Sequence, residues 1–122
     1  MDAKSSVILT KRVTITSSGP VIKEDFINKM REVISSIINF LKKNGCSKLG
    51  HIKFISTTDG EDYLQLSVLD IKEKPKVNGV LKKTFEKIKL TFNIIEFGVS
   101  RELVEDKISE EIENIQKYFD NH

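Results

Sequence analysis

The chain reads as an α+β protein: a two-layer sandwich of a four-stranded, mostly antiparallel sheet with two helices on one face, in the order β-α-β-β-β-α. Three observations carry that reading. Two long segments repeat apolar residues every three or four positions, and shorter segments alternate apolar with polar residues. Residues 50–70 also read as a hairpin that brings two apolar rows to one face, which two helical stripes can then cover.

In chain order, Val7, Leu9, Val13 and Ile15 alternate with Thr10, Arg12, Thr14 and Thr16, predicting a first strand that Gly19-Pro20 closes. Residues 23–44 carry Phe26, Ile27, Met30, Val33, Ile34, Ile37, Ile38 and Leu41 at helical spacing, with Gly45 where a C-terminal glycine belongs. In the hairpin, Ile52 and Phe54 share a face with Leu64, Leu66 and Val68 only if paired numbers add to an even value. A two-residue turn at Asp59-Gly60 breaks that parity. A three-residue loop, Thr58-Asp59-Gly60, keeps it, pairing Phe54 with Leu64 and Ile52 with Leu66 and setting Gly60 at a left-handed bulge.

Residues 72–89 lose periodicity around Pro75 and Asn78-Gly79 and are expected to form a long loop, or a loop with one helical turn near residues 81–85. Ile88, Leu90, Phe92 and Ile94 then give a fourth strand. Ile95 and Phe97 switch phase just beyond, through a bulge or burial on both sides. Ser100 is the expected N-cap of the last helix, with Glu102 and Glu105 near its positive end. Its apolar stripe is Leu103, Val104, Ile108, Ile112, Ile115 and Phe119. If the first two strands are parallel, the helix between them makes a right-handed crossover.

At 122 residues the chain suits one domain with one core. Cys46 stands alone, so no internal disulfide forms, and no secretory-type apolar stretch opens the sequence; an intracellular, cytoplasmic setting is expected. No apolar run approaches a bilayer span, so no membrane partner is expected. Abundant Lys with no Trp is compatible with a thermophilic source or an AT-rich genome. A net charge of +2 is too mild to imply nucleic acid by itself.

Function is sought on the reverse sheet face, which no segment remains to cover. Alternation places His51, Lys53, Ile55, Tyr63, Gln65, Ser67, Thr91 and Asn93 there, with Leu69 and Ile95 beside them. That mixture is too apolar for a plain wet face and too polar for a core, which points to an interface with a second copy or another protein. Tyr63 alone is a poor stacking platform for bases.

The lysines Lys72, Lys74, Lys76, Lys82, Lys83, Lys87 and Lys89 face only Glu73 and Glu86 within residues 72–89, and offer contacts to phosphate or an acidic protein. Residues 96–122 are correspondingly acidic.

No catalytic, cofactor-binding or metal-binding residue is assigned. His51 lacks an orienting carboxylate, and Cys46 follows a helix C-terminus whose dipole disfavours a thiolate. His122 is expected to fray at the chain end. Asp59, Glu61 and Asp62 stand too close together to supply a metal loop's spaced oxygens. Phosphate loops, paired Cys or His motifs and nucleophile elbows are all missing from the sequence.

From the first helix onward the order α-β-β-β-α resembles a double-stranded RNA-binding domain in topology. It departs at the start of the last helix, where Ser100-Arg101-Glu102-Leu103-Val104-Glu105-Asp106 would repel phosphate rather than supply that family's lysines. Over residues 49–99, the segments LGHIKFI, EDYLQLSVLD and KLTFNIIEFGVS resemble the small domain that accompanies CobW-type metallochaperone GTPases. That resemblance implies an accessory module for cofactor or metal-centre assembly, without the GTPase motifs. The expected function is a small interaction module that associates with itself through the open sheet face. Sequence-nonspecific nucleic-acid binding through residues 72–89 is the alternative, and the accessory module is the third.

Overall fold

The β-branched run that opens the chain extends into a strand longer than expected in the computed structural model, which describes residues 6–59 and 61–122. This β1 (Ser6–Ile22) is followed by α1 (Lys23–Lys43), β2 (Lys48–Thr57), β3 (Tyr63–Val68), β4 (Lys76–Val80), β5 (Thr84–Phe97) and α2 (Arg101–Asp120). The class is α+β as expected, with five strands instead of four. They lie in the order β1-β5-β2-β3-β4, every neighbouring pair antiparallel. β1 and β2 therefore run parallel to each other with β5 between them.

Gly19-Pro20 does not close β1. The register slips between Thr16 and Val21, after which Val21 pairs with Phe85 and Ile22 with Thr84. Pro20 falls inside that irregularity on an edge strand, where a missing N–H costs no ladder bond.

The hairpin keeps its even parity but closes later than the sequence predicts. Phe54 pairs with Leu66 and Ile52 with Val68, so the loop spans residues 58–62. The cause is Asp62, whose carboxylate accepts hydrogen bonds from the Thr58 amide at 3.0 Å, the Asp59 amide at 3.3 Å and the Thr58 hydroxyl. An Asx-type loop has replaced the tight turn. The expected bulge at Gly60 lies outside the described residues.

A further correction is β4. Residues 76–80 pair with β3 at the sheet edge and no helical turn forms near residues 81–85. Only Val77 in β4 is even half-buried, so the strand has no apolar alternation to read. Gly79, at φ +97, packs against β3 so closely that a Cβ there would come 2.3 Å from the Tyr63 carbonyl oxygen.

The phase switch expected after Ile94 is burial on both sides. Inward positions continue to Glu96, Ile95 and Phe97 are half-buried on the reverse face, and the irregularity sits in β2 between Leu49 and His51.

One layer of side chains joins helices to sheet. Phe54 and Phe92 stack across β2 and β5 at 4.5 Å, while Phe26 of α1 sets its edge to Phe85 at 5.4 Å and to Phe119 of α2 at 6.2 Å. The α1 stripe is buried as expected, with Ile27 only partly so. Ser100 caps α2 by accepting from the Leu103 amide.

Leu103 itself is exposed, and Glu111 takes an inward position on α2 instead. Its carboxylate is held by Lys107 Nζ at 2.9 Å and by the Ser36 hydroxyl of α1 at 2.7 Å, so the buried charge is paired and hydrogen-bonded. His122 is not frayed. Its amide donates to Phe119 O, and its carbonyl accepts from the Ser18 hydroxyl.

Candidate binding face

Because side chains alternate along every strand, the residues opposite the core form a second surface, and each of its positions stays half-buried or exposed. No other described segment roofs it. Cross-strand pairing orders it into rows. One runs Ile8–Ile95–His51; the next Thr10–Asn93–Lys53–Ser67–Lys76; the next Arg12–Thr91–Ile55–Gln65–Asn78. Thr14–Lys89–Thr57 follows, with Thr16–Lys87 beyond it and Tyr63–Val80 at the far edge. All eight interface candidates lie on this face: His51, Lys53, Ile55, Tyr63, Gln65, Ser67, Thr91 and Asn93.

The lysine-rich stretch divides on folding. Lys76, Lys87 and Lys89 join the rows just described. Lys72 and Lys74 sit in the β3–β4 connection, where the Lys72 amide donates to Asp70 at 2.9 Å. Lys82 is tied to the hairpin tip instead, its ammonium paired with Asp59 and its amide donating to Asp62 at 3.3 Å. Asp59 raises the Lys82 pKa. Burial alone would raise the Asp62 pKa, but hydrogen bonds from Thr58, Asp59 and Lys82 outweigh it and hold the carboxyl at about 2. Lys83 is exposed, and its carbonyl accepts from the Lys23 amide at the start of α1.

Sequence reasoning missed Arg12 as a site residue. Its parity with Thr10 and Thr14 was visible, but only the sheet order places β1 beside β5. With it, the face carries Arg12, Lys53, Lys76, Lys87 and Lys89, and no carboxylate stands in any of these rows. α2 is acidic, with Glu102, Asp106, Glu110, Glu113 and Asp120 exposed.

At the centre, the His51 ring nitrogen Nε2 lies 2.6 Å from Asn93 Oδ1, and Asn93 Nδ2 donates to the Thr10 hydroxyl at 2.9 Å. This chain crosses three strands and ties the His51 ring to Asn93 and Thr10. Comparisons with protein-family models, curated proteins and solved structures find no match. Nothing in them links the chain to the CobW-associated domain.

Cys46 is not brought to His51. Its thiol donates to the Lys48 carbonyl at 3.4 Å, and burial, then the charge of Glu96, push its pKa up, which weakens it as a nucleophile. Among the described residues no group of three His, Cys, Asp or Glu side chains is placed to hold a metal. No described helix is long and apolar enough to cross a membrane. The face offers cations, hydroxyls, amides and small apolar patches, which is chemistry for binding.

Proposed function

We propose that this protein is a binding module whose working surface is the open sheet face and whose partner is single-stranded nucleic acid, held chiefly through its phosphates. The observation that carries this reading is the sign of the face: five cations stand in its paired rows with no carboxylate among them. Cations that neutralise phosphates release counterions from a polyanion, which is the main source of nonspecific affinity. Thr10, Asn93, Gln65, Ser67 and Asn78 lie between them and supply donors and acceptors for bases that a duplex would hide. A membrane-facing surface would instead gather exposed apolar groups at the centre, whereas here the exposed ones, Ile8, Leu69, Tyr63 and Val80, lie toward the margins and the central Ile55 is half-buried.

A stack of two such faces, the first expectation from the sequence, would set like charges against each other. Its support is the set of margin apolar residues, which also suits a protein partner.

Fluorescence anisotropy with labelled single-stranded oligonucleotides, titrated at several salt concentrations, tests the proposal. Binding is expected with a log–log slope of about −3.5, from roughly 0.7 per neutralised phosphate over five cations, and with little sequence preference. A slope near zero, or preference for anionic vesicles over the oligonucleotide, overturns it.

A further inference from the structure

Within the open face the register builds a compact cationic recess. Arg12 lies opposite Thr91, which lies opposite Ile55; one step along the strands, Lys89 lies between Thr14 and Thr57. Arg12 and Lys89 are thus diagonal neighbours on β1 and β5, about 7–8 Å apart at the backbone. Both side chains can reach one small anion between them. These six residues line a depression of about 410 Å³, with Val13 and Leu90 as its remaining walls and no carboxylate in the lining.

We infer that this depression is a phosphate subsite, in which the Arg12 guanidinium and the Lys89 ammonium clasp one phosphate group while the hydroxyls of Thr14, Thr57 and Thr91 bond its remaining oxygens. The inference rests on the proposed function and adds where a bound strand is anchored. Two features separate this recess from the rest of the basic face. A planar guanidinium gives a phosphate two parallel donors where an ammonium gives a point charge. Three hydroxyls also flank the pair of cations, while Lys53 lies a row away between Asn93 and Ser67. A strand seated here has one phosphate fixed and its neighbours led across to the next row, toward Lys53 and Lys76.

The test uses the full chain, ¹⁵N-labelled, titrated by NMR with inorganic phosphate and separately with a ten-nucleotide oligothymidylate. Phosphate is expected to give saturable shifts in the amides around residues 12–14, 55–57 and 89–91. Arg12→Gln and Lys89→Gln are each expected to weaken phosphate binding on the order of tenfold, and to lower the salt slope of oligonucleotide binding by about one phosphate's share. Lys53→Gln is the control, expected to lower the oligonucleotide slope while leaving phosphate affinity unchanged. Spectra unchanged elsewhere in each variant show that the sheet is intact.

Oligonucleotide binding without saturable phosphate shifts at these amides overturns the subsite and leaves the sheet-face reading standing. Equal weakening by Lys53→Gln overturns it too, since diffuse charge then suffices. If neither probe binds, the sheet-face reading itself falls.

Discussion

Glu96 sits where alternation along β5 calls for an apolar side chain, and it is fully buried. One carboxylate oxygen accepts from the Val99 amide at 3.0 Å, while the other has no partner among the described residues. Burial pushes its pKa above the usual 4.5, offset in part by the Val99 amide and the Cys46 thiol. A raised pKa in the folded state means that folding binds the proton more tightly. The stability that Glu96 contributes is therefore present below the ordinary carboxylate range and is lost as pH rises above it through the raised folded-state pKa. Glu96→Gln keeps an acceptor for Val99 and removes the charge. It is expected to stabilise the protein by about 1 kcal/mol at pH 7 in urea unfolding. The gap should close as pH falls toward 4; a gap independent of pH would show that charge is not the cause. None of this was legible in the chain, where Glu96 read as one acid of a negative C-terminal segment, because alternation marks a position as inward without saying which residue tolerates it.

Among the elements, the two helices and the strands holding Ile52, Phe54, Leu64, Leu66, Ile88 and Phe92 were readable because each buries one face against the same core and so writes its period into the sequence. β4 writes none. As an edge strand it has one half-buried side chain, and its place depends on main-chain pairing with β3 and on Gly79. An alanine at Gly79 meets both a positive φ and the Tyr63 carbonyl oxygen. Gly79→Ala is expected to cost about 2 kcal/mol locally. Hydrogen exchange of the β3–β4 ladder amides should quicken roughly thirtyfold, with β1–β5 amides unchanged. Uniform acceleration over the whole sheet would mean that β4 is part of the global folding unit. The hairpin loop was misread for a related reason: parity restricts the register to alternate values, but the Asp62 carboxylate, by gathering the Thr58 and Asp59 amides, chooses among them.

Taken whole, the molecule sets cations in the paired rows of the open sheet face, while the exposed side of α2 is rich in carboxylates. Two copies stacked face to face would bring Arg12, Lys53 and Lys89 of both within about one Debye length, roughly 8 Å at physiological salt. Sedimentation equilibrium at physiological salt is therefore expected to return the monomer mass of 13.9 kDa at tens of micromolar. A dimer that Ile55→Asp dissociates would restore the stacked interface. Had the candidate residues been judged by the lysine stretch alone, Lys82 would rank with Lys89, yet folding gives the first to Asp59 and the second to the recess beside Arg12. By itself, the sequence determined the α+β class, both helices, which strand faces turn inward, and that one sheet face stays open, because burial periodicity is a local property recorded residue by residue. Only the tertiary structure decided the strand order, the edge strand and the meeting of Arg12 with Lys89, because these depend on which distant segments pair through backbone hydrogen bonds that every residue can make.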